Sequence, residues 1–295
     1  MGDTADETND VDWAELDRRD PALVEAMLKA VRVGLRYFDP EVQHFERLPE
    51  EGPFLIVGNH SGGMLMPDYW AFLDRWVRDR GAEAPLYALG FDLLFAVPAA
   101  ASLLHRVGSV PANRANASAL LDRGHPVLVY PGGDQDDYRP WTKRHEIELY
   151  GRTGFVKLAL RHQVPVVPLV SHGSHDAIIV VTRGDQIADA LRLDRLRIGV
   201  FPIVLGPLGL SPVSLAIPPF PAKVTSRVCE PIDWSALGPD AADDPEVVSR
   251  CYDEIHDRMQ ETLDDLVREV PHPVRTRIGN ALGLDRLGRL NERGG

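Results

Sequence analysis

The chain has 295 residues, of which 26% are charged and 44% apolar, a balance that is ordinary for a globular protein and excludes global disorder. Its two cysteines, Cys229 and Cys251, form neither a metal-ligand spacing nor a disulfide framework, so we expect a reducing, cytoplasmic compartment. The formal net charge is −12, and no basic stripe with interleaved aromatic residues occurs. We therefore expect no nucleic-acid partner.

The first segment, residues 1–20, holds eight acidic side chains against Arg18 and Arg19, half of the net charge. It lacks the apolar core of a signal peptide, and we expect a disordered acidic tail. Residues 21–37 follow with an amphipathic helical pattern. Such a helix either packs on a core or lies on a membrane surface, and core packing is the favoured prediction.

Apolar runs and helical patterns then alternate along the chain. The alternation predicts an α/β fold in which a single, largely parallel sheet is flanked by helices, within one domain at residues 21–270. A basic tail at 271–295, with a short amphipathic helical pattern, would complete the chain. Strands are expected at 54–57, 85–89, 107–110, 127–130, 164–170 and 223–229, and helices at 69–80, 92–105, 114–123, 153–162 and 245–270.

The longest uncharged run, residues 198–222, is long enough to span a bilayer by residue count. It contains three glycines and six prolines, which would break a spanning helix and leave backbone groups unsatisfied in lipid. We expect an irregular segment instead. Two alternatives remain open: an apolar loop that covers a lipid site or dips into the membrane interface, and a buried connection within the core.

Four loops at predicted strand ends carry the chemistry. The first, Gly-Asn-His-Ser-Gly-Gly at 58–63, places His60 after a buried strand, with Asp68 eight residues later. A histidine near a carboxylate is the minimal apparatus for general-base catalysis. The other three are Gly-Ser-Val-Pro-Ala-Asn-Arg at 108–114, Tyr-Pro-Gly-Gly-Asp-Gln-Asp at 130–136, and the proline-containing strand 164–170 that ends in Ser-His-Gly.

The order and spacing of these four loops resemble the glycerolipid acyltransferase superfamily over residues 50–235. They are most similar to the branch of monoacylglycerol and diacylglycerol acyltransferases and their bacterial relatives, in which the third motif is Pro-Gly-Gly. The resemblance implies transfer of an acyl group from a thioester donor, acyl-CoA or acyl carrier protein, to the hydroxyl of a lipid-like alcohol. It implies no cofactor and no covalent intermediate, with His60 as the base and Asp68 as its orienting carboxylate.

The resemblance also implies substrate-binding residues and a membrane setting. An oxyanion site would use backbone N–H groups near Gly132 and Gly133, and Phe91 with the helix at 92–104 would form a wall for the acyl chain. We expect peripheral attachment to the inner face of the cell membrane. The remaining expected binding residues are Ser61, Gly62, Gly63, Arg114 and Asp134.

Two departures from the family pattern matter. The usual spacing would place the acid at position 65, which is leucine, so Asp68 comes three positions late. No arginine directly follows the Pro-Gly-Gly motif, and phosphorylated acceptors generally need cationic partners. Arg114 and Arg139 are the possible substitutes, so a phosphorylated acceptor is disfavoured.

Three further interpretations stay open. Ser61 beside His60 could serve a hydrolase, although the Gly-x-Ser-x-Gly elbow is absent. The altered spacing also fits a non-catalytic lipid- or acyl-CoA-binding protein, and Asp134 and Asp136 could be ordinary turn residues. His172, His175 and Asp176 are a weak pattern for a metal, and we expect none.

Overall fold

The computed structural model describes residues 16–193, 199–212 and 218–283. Most of the predicted acidic tail, at 1–15, and the last residues of the basic tail, at 284–295, lie outside this range. The helices are Pro21–Leu35 (α1), Pro67–Arg80 (α2), Pro98–Arg106 (α3), Arg114–Asp122 (α4), Gly133–Asp137 (α5), Gly154–His162 (α6), Ser174–Ala177 (α7), Asp185–Ala190 (α8), Pro245–Glu269 (α9) and Pro273–Leu282 (α10).

The strands are Glu41–Gln43 (β1), Leu55–Gly58 (β2), Tyr87–Gly90 (β3), Ser109–Pro111 (β4), Val127–Val129 (β5), Val166–His172 (β6), Ile179–Thr182 (β7), Ile203–Gly206 (β8), Gly209–Pro212 (β9) and Thr225–Val228 (β10). Seven of them form one sheet in the order β1-β10-β6-β2-β5-β3-β4. The five strands from β6 to β4 run parallel, and β10 is antiparallel to β6. This confirms the predicted α/β fold with a largely parallel sheet.

The sheet is buried on both faces, which explains why its strands are continuous apolar runs rather than alternating ones. In β2, Leu55 and Val57 face one hydrophobic cluster, shared with α4, α6 and α9. Phe54 and Ile56 face the other, which contains residues of α1 and α2. Helix α1 buries Val24 and other apolar residues in that second cluster, so it packs on the core, as favoured from the sequence.

The run at 198–222 differs from the prediction of an irregular segment. Residues 203–206 and 209–212 form a hairpin that pairs with β7 as a separate three-stranded antiparallel sheet. Pro207 and Leu208 lie in the turn, and Gly209 follows with a φ of +116°. The breakers therefore mark the turn and ends of a hairpin. Residues 213–217 lie outside the described range.

The single helix predicted at 92–105 is divided in two. A 3₁₀ turn, Asp92–Phe95, is followed by α3, which begins at Pro98. Val97 is extended, with φ −99° and ψ 116°, because a residue before proline avoids the helical region.

Both terminal boundaries are more structured than predicted. Leu16 is buried in the first hydrophobic cluster, and the Asp20 side chain caps α1 by accepting the Leu23 N–H at 3.0 Å. At the other end α10 is docked on the end of α1, because Arg277 donates to the carbonyls of Arg36 and Tyr37 at 2.8 Å each.

Among the described residues, no helix is both long enough and apolar enough to cross a bilayer.

Helix α9 supplies much of the first cluster, and its truncation should be costly. Leu263 is 1% exposed, whereas Leu282 on α10 is 68% exposed. We expect Leu263→Ala to lower the free energy of unfolding by about 2–5 kcal/mol, since it loses burial and leaves a cavity. Leu282→Ala should change it by less than about 0.5 kcal/mol. Urea denaturation of both variants checks this, and equal losses would contradict the packing described.

Candidate active site

The carboxyl ends of three neighbouring strands build the site. Strand β2 pairs in parallel with β5 on one side and β6 on the other, so Leu55 lies opposite Val127 and Val166. The loops that follow these strands consequently emerge at one edge of the sheet. They bring together the segment after Gly58, the Pro-Gly-Gly turn, and the segment after His172.

Asn59 extends the pairing where the chain leaves β2. Its buried side-chain amide donates to the Ser171 carbonyl at 2.9 Å and accepts the Ser171 N–H at 2.7 Å. The Asn59 side chain thus makes the two hydrogen bonds that the backbone of another strand residue would make. The backbone can therefore turn away from β6, and His60 enters the site.

His60 is mostly buried, and four neighbours fix its position. Its Nδ1 lies 3.5 Å from Oδ1 of Asp137, and its ring stacks on Tyr130 with centroids 4.8 Å apart. The His60 N–H donates to Asp136 Oδ2 at 2.6 Å, and the His175 imidazole hydrogen-bonds to the His60 backbone. Hydrogen bonds therefore hold the backbone, whereas the ring is positioned by stacking on Tyr130 and by the ion-pair contact with Asp137, which is not a hydrogen bond.

A buried ion pair between Arg139 and Asp136 stabilises the position of the His60 backbone. Arg139 is fully buried, and its Nη2 lies 2.9 Å from Asp136 Oδ1. The same guanidinium nitrogen lies 3.2 Å from Nε2 of His175. Because a guanidinium only donates, His175 accepts through Nε2. Arg139 thereby ties together the two side chains that hold the His60 backbone.

Two close approaches require glycine. A Cβ on Gly58 would lie 2.5 Å from Cε1 of Tyr130, the ring that stacks on His60. A Cβ on Gly132 would lie 2.3 Å from the Asp136 Cβ and 2.7 Å from the Glu148 carbonyl oxygen. Larger residues at either position would displace groups that contact His60.

Burial sets the protonation of the site. It lowers the pKa of His60 below its usual value, although the charges of Asp68 and Asp136 oppose the shift. It raises the pKa of Asp137 to about 7, against a hydrogen bond from the Gly63 backbone. It likewise raises the pKa of Asp68 and of Asp136 to about 6. His60 is therefore neutral at physiological pH, as a general base must be.

The structure places Asp68 at the site but not on the imidazole nitrogen. Asp68 is buried at the start of α2, where it accepts a hydrogen bond from Ser61 Oγ at 3.3 Å. It acts on His60 through its charge. Asp137 is the carboxylate nearest to His60 Nδ1 among the ion pairs of the described residues.

The other predicted binding residues have mixed positions. Gly62 and Gly63 lie in the His60 turn, and both have positive φ. Asp134 accepts the Gly199 N–H through Oδ2 at 3.3 Å, and its charge acts on His60. Arg114 is exposed at the start of α4, three strand positions from β2 and hence roughly 14 Å across the sheet.

The Gly133 N–H, one of the backbone groups expected near an oxyanion, already has a hydrogen-bond partner in this structure. That N–H donates to the Tyr130 carbonyl at 3.1 Å and closes the turn. The Gly133 φ of +56° explains why glycine is required there. The Pro-Gly-Gly motif thus shapes the turn that presents Asp136 and Asp137.

Three residues of the site were not predicted from the sequence: Asp137, Tyr130 and His175. The first two flank the Pro-Gly-Gly motif, so the motif itself could have indicated them. His175 follows β6, and only the strand order reveals that β6 adjoins β2. The predicted neighbours His172 and Asp176 point elsewhere and form a separate cluster with His145.

The site is thus a buried histidine beside a carboxylate at the strand ends of an α/β protein. Comparisons with known proteins show which proteins it is similar to. Residues 39–172 match the family model described as Acyltransferase. An uncharacterized protein of Mycobacterium tuberculosis is 30% identical over 229 residues, which cover 77% of this chain and 61% of that protein. Diacylglycerol O-acyltransferase 2 of Bos taurus is 28% identical over 144 residues, covering 47% and 40%.

Residues 39–172 are therefore similar to acyltransferases, the class of protein that the sequence motifs predicted. The chain spans 61% of the length of its mycobacterial relative. The crystal structure of the 1-acyl-sn-glycerophosphate (LPA) acyltransferase PlsC from Thermotoga maritima aligns over 82% of both chains, with 16% identity and a TM-score of 0.46.

The raised pKa of Asp137 predicts a pH-dependent cost to stability. A carboxyl with a higher pKa in the folded state binds more protons when folded, so its contribution to the free energy of unfolding is lost as pH rises from about 4 to 7. Asp137→Asn removes that loss. We compare the free energy of unfolding of the variant with that of wild type. When the pH is raised from 4.5 to 8, we expect the variant's value to rise relative to wild type by on the order of 2 kcal/mol.

Urea denaturation of both proteins at the two pH values measures this difference. Asp257→Asn is the matched control, because Asp257 is exposed and lies beside a histidine, His256, in the same way. It should show no pH-dependent gain. A pH-independent difference for Asp137→Asn would show that Asp137 ionises normally.

Proposed function

We propose that this protein is an O-acyltransferase that moves a fatty acyl group from acyl-CoA or acyl carrier protein to the hydroxyl of a lipid-like alcohol. The observation that carries the proposal is the neutral imidazole of His60, 3.5 Å from the Asp137 carboxylate, within the segment that matches the acyltransferase family. Diacylglycerol O-acyltransferase 2, which is 28% identical over 144 residues, transfers an acyl group according to its name, and this supports the same reaction class.

The reaction needs one base and no covalent intermediate. His60 accepts the proton of the acceptor hydroxyl while that oxygen attacks the thioester carbonyl. The new C–O bond forms, the C–S bond breaks, and the imidazolium returns the proton to the departing thiolate. Positioned general-base catalysis contributes about 10²–10⁴-fold, and proximity of the two substrates supplies much of the rest.

Asp137 is the preferred orienting group for His60 Nδ1. A carboxylate at Nδ1 fixes the tautomer in which Nε2 is the base, and it stabilises the imidazolium that forms. Geometry favours Asp137 over Asp68, because Asp68 is hydrogen-bonded to Ser61. Asp68 contributes a second negative charge nearby, which also favours the imidazolium.

The residues around His60 favour a lipid-like acceptor that carries no phosphate near the proposed base. Arg139 is buried and committed to Asp136 and His175, so it is inaccessible to a phosphorylated acceptor. Arg114 is exposed but lies several strands away from His60. A neutral hydroxyl acceptor therefore fits the site better than a phosphorylated one.

An apolar surface beside the site suits an acyl chain and a membrane. After β3, side chains of the 3₁₀ turn and α3 are exposed although they are apolar: Phe91, Leu93, Leu94, Val97 and Leu103. A patch of this kind marks a binding or membrane surface. We propose that it receives the acyl chain and contacts the inner face of the cell membrane.

A hydrolase that uses Ser61 is a weaker alternative. Its nucleophile would donate to the histidine base, whereas Ser61 Oγ donates to Asp68. A fluorophosphonate probe should accordingly leave Ser61 unlabelled.

Replacement of His60 tests the proposed base. We expect His60→Ala to reduce thiol release from acyl-CoA by about 10²–10⁴-fold, measured with a panel of acyl-CoAs and lipid alcohols in a thiol-capture assay. His162→Ala is the matched control, because His162 precedes β6 and lies at the opposite edge of the sheet, where it contacts Ser118. It should retain near-wild-type rates.

Two outcomes would contradict the proposal in different ways. Thiol release that survives in folded His60→Ala would exclude His60 as the base. Saturable acyl-CoA binding without turnover across the whole acceptor panel would favour a non-catalytic binding protein on the same fold.

Replacement of each carboxylate by an amide separates the roles of Asp137 and Asp68. We expect Asp137→Asn to lower kcat/KM on the order of 10²-fold, because the amide no longer favours the productive tautomer or the imidazolium. Asp68→Asn should cost about tenfold or less, since only a nearby charge is lost. Steady-state kinetics at pH 8 provide the comparison, and circular dichroism confirms folding. The reverse order would reassign the orienting role to Asp68.

A further inference from the structure

A second cluster of potential ligands lies apart from the His60 nitrogen. His145, His172 and Asp176 each offer one ligand atom, and these three atoms lie within 4.8 Å of one another. They come from the loop after α5, from the last residue of β6, and from α7. No sequence spacing unites them, since His145 precedes the other two by more than 25 residues.

Asp176 presents one oxygen to the cluster, and its side chain is 11% exposed. Its Oδ1 accepts a hydrogen bond from Trp141 Nε1 at 3.3 Å and lies 3.4 Å from Arg144 Nε. Its Oδ2 is buried without a hydrogen-bond partner. A buried carboxylate oxygen without a partner is costly unless something cationic or protic occupies the space beside it.

Both histidines are prepared as neutral ligands. His172 Nε2 lies 2.9 Å from the Val270 carbonyl oxygen, which can only accept, so Nε2 carries the proton and Nδ1 keeps its lone pair. His145 Nε2 is buried without a hydrogen-bond partner, and the His145 backbone carbonyl is anchored on α9 by Gln260 at 2.9 Å. A ligand histidine whose other nitrogen bonds a backbone carbonyl is the usual second-shell arrangement at metal sites.

The donor set and its dimensions suit a transition-metal ion. Two imidazole nitrogens and one carboxylate oxygen bind Zn²⁺ and related divalent ions, with solvent in the remaining positions. Ligand atoms about 2.0–2.1 Å from a tetrahedral ion are separated by roughly 3.3 Å. The observed limit of 4.8 Å exceeds that value by about 1.5 Å, so the side chains would move together when an ion binds.

An entry path is present. Asp176 and Arg144 line a groove of about 1020 Å³, together with Trp141, Phe220 and residues 271–276. The groove therefore reaches Asp176, whose Oδ2 is itself buried.

Arg144 is the rival explanation, because its charge already faces Asp176. Its guanidinium stacks on Trp141, 3.7 Å from the ring centroid, and its Nε approaches Oδ1 rather than Oδ2. Arg144 therefore neutralises the Oδ1 side of the carboxylate and leaves Oδ2 without a hydrogen-bond partner. Its charge also acts on both imidazoles.

We propose that His145, His172 and Asp176 bind a divalent transition-metal ion of the Zn²⁺ class. The ion joins the end of β6, helix α7 and the loop after α5, and through the Val270 carbonyl it also fixes the end of α9. Its role is structural: it holds these segments in place and does not contact the substrates of the acyl transfer proposed above.

Zinc binding by the full, untagged chain tests the proposal. After treatment with a chelator, the protein is titrated with Zn²⁺ in competition with a chromophoric chelator, and bound metal is counted by elemental analysis. We expect one equivalent per chain and a rise in Tm of about 5 °C at a hundredfold excess over Kd. His145→Ala should weaken binding by more than about 100-fold.

Matched variants separate a built site from surface binding. His44→Ala removes an exposed histidine that lies 3.4 Å from Glu46, and it should bind zinc like wild type. Asp176→Asn should lose affinity as His145→Ala does. His145 is only half-buried, so at least that variant should remain folded, as circular dichroism would confirm. Zinc bound equally by wild type and folded His145→Ala, or no stoichiometric binding by wild type, overturns the proposal.

Discussion

Parallel pairing of β6, β2 and β5 is the constraint on which the site depends. The three strands end at one edge, and their loops approach each other only because β2 lies between the other two. Asn59 then bridges β2 to Ser171 of β6 with two hydrogen bonds, which lets the chain turn without leaving backbone groups unsatisfied. A shift in register of one residue would send alternate side chains to the wrong face and separate His60 from Asp137.

The same convergence concentrates negative charge in a dry environment. Asp68, Asp136 and Asp137 are buried around His60, and Arg139 pairs with only one of them. Desolvation raises the pKa of all three carboxyl groups. A fold selected only for stability would replace such groups with apolar ones, because buried charges cost more than they return. Perturbed titration of this kind is concentrated at functional sites, which supports the role proposed for His60.

Strand and helix order was predictable because both faces of the sheet are buried, so each strand is an uninterrupted apolar run. His60 could be predicted for a related reason: it follows such a run at a glycine-rich turn. Asp137 could not be distinguished from Asp68 or Asp136, because the choice depends on side-chain direction after a turn and not on spacing. The β8–β9 hairpin was missed since its glycines and prolines also fit a loop, and His145 was missed because only tertiary contact brings it to Asp176.

Helix α7 connects the two clusters. His175 hydrogen-bonds to the His60 backbone, while the adjacent Asp176 points to His145 and His172. Four residues are too few for a stable helix on their own, so the position of α7 depends on the contacts at its two sides. An ion at Asp176 would restrict α7 and, through His175, the backbone that carries the proposed base. Pre-organisation of that kind lowers the reorganisation needed when a hydroxyl approaches His60, and we infer that the second cluster serves the first by holding α7 in place.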